Sequence, residues 1–150
     1  MVLFFVNFFN RPNVYASELI AKVDCEINVI NGDNVETVSK DHKLISSVDE
    51  ANINFSDIKT ELTSRSKIEV NYNVENISTG DCVFSLNLNK LEMENFDVEY
   101  SINDGEFVDL DSVINKINAA EIANIKVVIS IDDLSKNAVL NGSLNLTFNM

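Results

Sequence analysis

Residues 67–76 read Lys67-Ile68-Glu69-Val70-Asn71-Tyr72-Asn73-Val74-Glu75-Asn76, with an apolar side chain at every second position from Ile68 to Val74. Side chains along a strand point alternately to opposite faces, so this stretch is a strand that buries one face and wets the other. The same alternation runs through Val23, Cys25, Ile27 and Val29, and through Phe84, Leu86 and Leu88. It returns in Phe96-Val98-Tyr100-Ile102, in Ile125-Val127-Ile129-Ile131 and in Leu144-Leu146-Phe148-Met150. One-sided strands must pack their apolar faces together, and six of them in one chain make an antiparallel β-sandwich the expected architecture.

Working outward, residues 17–30 form the first strand, and Asn31-Gly32-Asp33 is a turn signal. Residues 34–50 are irregularly patterned and supply at most short strands. Ile53 to Ser56 is a short strand, and residues 57–66 lead into the long one at 67–77. Strands at 82–91 and 95–102 follow, the second closed by Asn103-Asp104-Gly105, residues that tolerate positive φ in a tight hairpin. From Val113 to Ala123 the apolar spacing changes to Val113, Ile114, Ile117, Ala120 and Ala123, with Asp111 or Ser112 placed to cap a first turn. That spacing predicts one short connecting helix. Strands at 124–131 and 140–150 complete the chain.

A chain of 150 residues fits a single domain and buries about two thirds of its unfolded surface without metals or bridges. The formal charge is −13, with 11 Lys and Arg scattered among 24 Asp and Glu. Binding nucleic acid requires clustered cations that neutralise phosphates, so that class of partner is excluded.

The N-terminus opens on the apolar run Met1 to Phe9, followed by Asn10, Arg11, Pro12 and then Val14-Tyr15-Ala16-Ser17. A short apolar region, a helix breaker and small residues before a cut after Ala16 have the grammar of a secretory signal peptide. Residues 1–16 are thus a signal peptide or, in the alternative, an N-terminal arm, and residues 17–150 are one β-sandwich domain. Cys25 and Cys82 fall on two different strands. In an oxidising compartment they form a disulfide; otherwise they are two small core residues.

Chemistry-bearing motifs are sparse. The sole histidine, His42, sits in Lys40-Asp41-His42-Lys43 with no Cys–His pairing or nucleophile elbow, and reads as an exposed loop residue. Carboxylate pairs at Asp109/Asp111, Asp132/Asp133 and Asp104/Glu106 match no calcium-binding loop and read as solvated turns. Glycosylation sequons stand at Asn54, Asn76, Asn141 and Asn145, in a chain rich in asparagine. No catalytic, cofactor or metal residue is assigned, and an enzyme is not expected.

The stretch Ala21 to Val29, directly after the cleavage point, resembles the opening of chaperone–usher fimbrial major subunits, in particular the alpha-type pilins. The closing Leu140-Asn141-Gly142-Ser143-Leu144-Asn145-Leu146-Thr147-Phe148 is similar to their final strand. The order of strand, helix and terminal strand in residues 96–150 also resembles the TasA and camelysin group of secreted biofilm-fibre proteins. The pilin resemblance implies an incomplete immunoglobulin-like sandwich completed by a strand from a neighbouring subunit. The donor role then falls on Ser17 to Val29, with Leu19, Ala21, Val23, Cys25, Ile27 and Val29 as the inward-facing or edge set. On this reading the chain is a secreted subunit of an extracellular filament that supports adhesion. Its partners are further copies of itself and an assembly chaperone, with the host or surface receptor unspecified. The alternatives are a virion structural protein and a secreted carbohydrate-binding module.

Overall fold

The computed structural model describes residues 18–58, 61–89, 95–132 and 135–149. The proposed signal segment at residues 1–16 lies outside them, as do Ser17 and Asp133. Among the described residues twelve strands are formed: β1 (Leu19–Asn31), β2 (Asn34–Ser46), β3 (Glu50–Asn54), β4 (Glu61–Leu62), β5 (Ser66–Asn76), β6 (Cys82–Leu88), β7 (Phe96–Ile102), β8 (Val108–Asp109), β9 (Ser112–Ile117), β10 (Ile122–Ile131), β11 (Ala138–Val139) and β12 (Ser143–Asn149). They build a six-stranded sheet ordered β2-β1-β5-β10-β7-β8, a four-stranded sheet ordered β3-β12-β6-β9 and a small β11-β4 ribbon. Every pairing among the described residues is antiparallel.

The expected all-β sandwich is what the structure shows. The inward halves of the alternating strands form one core: Ile68, Val70, Tyr72 and Val74 from β5 lie with Phe84 and Leu86 from β6 and Leu144, Leu146 and Phe148 from β12. Within the large sheet, Val70 stands in register between Ile27 of β1 and Val127 of β10. Each fully buried side chain of this size contributes about 1.5–3 kcal/mol relative to exposure. From β5 onward the main strands alternate between the sheets: β5 to β6, β7 to β9, β10 to β12. An immunoglobulin constant-type sandwich, by contrast, sets four strands against three.

The connecting helix expected from Val113 to Ala123 is replaced by β9, a turn and the start of β10. Val113 and Ile117 are both buried, and a separation of four positions puts residues on one face in a strand as well as in a helix. The β-branched side chains favour the strand, and the ladder from Cys82↔Ile117 to Asn87↔Ser112 completes the edge of β6. Ala120, at φ +67°, turns the chain into β10.

Residues 34–46, expected to give only short strands, form the thirteen-residue β2. Its side chains are mostly exposed, so no burial pattern marks it; pairing along β1 from Leu19↔Ser46 to Asn31↔Asn34 creates it. Gly32, at φ +58°, makes that hairpin turn, and its N–H donates to the carbonyl of Arg65 at 3.0 Å. Asn103 and Asp104, at φ +52° and +60°, make the predicted turn after β7.

Candidate functional site

The six inward candidates of the first strand divide on placement. Ala21, Val23, Ile27 and Val29 are buried, Cys25 is half-buried, and Leu19 is 45% exposed. A register shift between Leu19 and Ala21 turns Ile20 into the core instead, which is what a β-bulge does to the facing of a strand. More consequentially, β1 is neither an edge nor a free donor. It lies between β2 and β5 in its own sheet and is paired along nearly its full length on both sides. The expectation that Ser17 to Val29 is lent to a neighbour is corrected on that ground.

The expected disulfide is also corrected, since both cysteines are free thiols. Cys25 is level with Tyr72, whereas Cys82 pairs with Ile117, whose carbonyl accepts from the side chain of Asn76 at 2.9 Å. Tyr72 and Asn76 are four residues apart on β5, about 13 Å along the strand, and a disulfide needs Cα atoms within roughly 7 Å. Burial, with Asp41 adding, pushes the Cys25 thiol up to about 12. Burial, with Asp81 adding, also raises Cys82. Neither is a thiolate near neutral pH, so neither has the nucleophilic or metal-ligating form.

Two concave features flank β1. The first arises because the four-stranded sheet is narrower than the six-stranded one, so that β2 overhangs β3. Beneath the overhang is a cleft of about 220 Å³. Val23, Ile27, Ala51 and Ile53 give it an apolar lining, and Ser39, Asp41, Lys43 and Asp57 line it as well. Cys25 and Tyr72 face it from the core side. Tyr72 is 1% exposed, and its hydroxyl has no hydrogen-bond partner among the described residues. Burial, with Cys25 adding, keeps that hydroxyl protonated far above the usual phenol range. Among the described residues β3 pairs with β12 alone, which leaves its other side without a described partner strand along this cleft.

The second feature is a trough of about 600 Å³ on the large sheet. The polar halves of the alternating strands supply most of its lining, and Cys25, Tyr72, Ile125 and the turn residue Asp104 line it as well. One cross-strand row runs His42, Asp24, Asn73, Asn124; the next runs Lys40, Glu26, Asn71, Lys126. His42 is therefore on a strand and not in a loop, with Nδ1 at 2.5 Å from Oδ1 of Asp24. The Nδ2 of Asn73 donates to Oδ1 of Asn124 at 2.9 Å, and the Nδ2 of Asn71 donates to Oε1 of Glu69 at 3.1 Å. Lys126 lies 3.9 Å from the same Glu69 carboxylate. Of the trough residues, sequence reasoning singles out Cys25, His42 and Asp104, none of them as part of a shared site. The signal for its polar members was the outward half of each repeat, and only the strand order brings Asp24, Asn73 and Asn124 together.

The remaining sequence candidates stay dispersed. Asn54 accepts at its Oδ1 from the amide of Ser56 at 3.2 Å, Asn76 is fully buried, and Nδ2 of Asn145 donates to Glu50 at 3.1 Å. Among the described residues, no group of three or more His, Cys, Asp or Glu is disposed to hold a metal ion.

No protein-family model matches the chain, and no curated protein matches it. Solved structures give faint likenesses. A GH31 alpha-xylosidase from Xanthomonas citri is 15% identical with a TM-score of 0.40, over 85% of this chain and 18% of that one. The envelope protein VP37 of White Spot Syndrome Virus is 11% identical with a TM-score of 0.27, over 85% and 94%. An exo-beta-1,3-galactanase from Phanerochaete chrysosporium, solved with galactose, is 13% identical with a TM-score of 0.23, over 75% and 32%. The chain thus spans less than a fifth of the xylosidase.

Proposed function

We propose that this chain is a non-enzymatic structural subunit of an extracellular filament whose copies join by strand complementation. The observation that carries this reading is the sheet edge at β3, open among the described residues. There, among the described residues, an unpaired strand edge, a partly apolar cleft and the unpartnered Tyr72 hydroxyl coincide beneath the overhanging β2. A strand from a second copy laid along β3 would gain backbone hydrogen bonds, and its alternate side chains would enter the cleft between Val23, Ile27 and Ile53. A polar atom of that guest would accept a hydrogen bond from the Tyr72 O–H, ending the cost of a buried unpaired hydroxyl. The guest is a segment other than β1, which is engaged at home on both sides.

The test is electron microscopy and sedimentation of the purified protein beside an Ala51→Glu variant. That variant places a carboxylate in the cleft near Asp41 and Asp57. Loss of filaments and oligomers, with the circular dichroism spectrum kept, supports the proposal. A parent chain that stays monomeric at every concentration, or a variant that assembles like the parent, overturns it.

A further inference from the structure

We infer that the trough on the large sheet is a binding site for neutral oligosaccharides. The argument begins with size and chemistry. A cavity of about 600 Å³ falls in the range of about 300–1,000 Å³ typical of ligand sites, room for a short run of sugar rings. Its lining sets amides and charges of both signs beside Cys25, Tyr72 and Ile125. Neighbouring strands set these groups about 4.8 Å apart across the sheet, and alternate residues set them about 7 Å apart along it. That lattice of donors and acceptors suits a ligand carrying hydroxyls around a ring, each of which both donates and accepts.

The internal hydrogen bonds hold the amides with defined groups pointing outward. Asn73 donates through Nδ2 to Asn124 and keeps its Oδ1 as an acceptor, while Asn124 keeps its Nδ2 as a donor. Asn71 is held in the same way by Glu69 and keeps its own Oδ1. Glu26 and Lys40 are in register, yet no ion pair joins them among the described residues, so both retain hydrogen-bonding capacity for a guest.

Other ligand classes fit less well. A chain of charge −13 repels phosphates and other anions. Among the described residues no cluster is placed to take a metal ion. An apolar ligand would strand the carboxylates and amides without partners. The rings of Tyr72 and Tyr100 pack with the core, so recognition here is by hydrogen bonding and not by stacking on an aromatic ring.

The test is ¹⁵N-resolved NMR of the full chain carrying Ala51→Glu, which blocks assembly at β3 and lies outside the trough, titrated separately with gluco-, xylo- and galacto-oligosaccharides and with inorganic phosphate and calcium chloride as controls. The expected result is saturable shifts in the side-chain amides of Asn71, Asn73 and Asn124 with one of the sugars, with a Kd of about 1 mM or tighter. The double variant Asn73→Ala/Asn124→Ala weakens that binding at least about tenfold. If it fails to fold, the near-isosteric Asn124→Asp replaces it, with the same loss expected. The inference is overturned if none of the three sugars shifts these amides, if the shifts fall outside the trough, if the variants bind as the parent does, or if phosphate or calcium alone reproduces the shifts. None of these readings depends on assembly at β3.

Discussion

The side-chain amide of Asn76 donates to the backbone carbonyl of Ile117, 41 residues further along the chain, at 2.9 Å. The same Nδ2 reaches the carbonyl of Gly80 at 2.9 Å, while Oδ1 accepts from the backbone and hydroxyl of Ser78 at 2.9 and 2.7 Å. One fully buried amide thus ties the β5–β6 turn in one part of the sandwich to the end of β9 in the other sheet.

Replacing Asn76 by Ala should therefore destabilise the fold well beyond the loss of a surface amide. Each buried group left without a partner costs about 1–3 kcal/mol. Urea unfolding should show the midpoint fall, and hydrogen exchange should show residues 77–81 and 117–121 losing protection together. The burial of Asn76 also predicts that, of the four sequons, this one stays unmodified in the folded protein, which glycopeptide mass spectrometry would check after expression in a glycosylating host.

The strand assignment of β9 makes a second pair of expectations. Ile117 is 3% exposed and Ile114 is 74% exposed. Ile117→Ala should cost about 2–5 kcal/mol through the cavity it leaves, while Ile114→Ala should stay within about 0.5 kcal/mol. Paired chemical denaturation curves measure both.

The free thiols predict slow chemistry. Native protein should react little with Ellman's reagent at pH 8, and two thiols per chain should appear on unfolding without reductant. Cys25 is raised in the folded state from 9.0 to about 12, so the unfolded chain ionises first as pH rises. Its contribution to stability is complete below pH 9 and is lost as pH climbs towards 12. Cys25→Ala should flatten that alkaline decline in thermal unfolding scans.

Acid should act on the link between β2 and β3. Oδ2 of Asp49 accepts from both the backbone N–H and the hydroxyl of Ser46 at 3.0 Å. The backbone bond first, and the hydroxyl second, hold the carboxyl below its ordinary 3.8. The stabilisation is present above that ordinary value and is lost as pH falls through the depressed one. The amide resonance of Ser46 should move in that window, and Asp49→Asn should abolish the movement.

Much of the sandwich was legible because its central strands have one wet face: β5, β6, β10 and β12 advertise themselves through Ile68, Phe84, Ile125 and Leu144. Three features were hidden for physical reasons. β2 is wet on both faces, so pairing with β1 defines it and hydrophobicity does not. Val113 and Ile117 satisfy two periodicities at once. The trough joins Asp24, Asn73 and Asn124, whose adjacency exists only after β1, β5 and β10 are laid side by side in an order that no local pattern encodes.

The placement of β1 has a mechanical side. It is bonded along both flanks, to β2 from Leu19 to Asn31 and to β5 from Ala21 to Asn31. A pull directed along its axis would meet both ladders lengthwise, loading many hydrogen bonds in parallel instead of peeling them one by one. Tension entering the domain at Leu19 would therefore be borne in shear, the direction in which a sheet is hardest to tear.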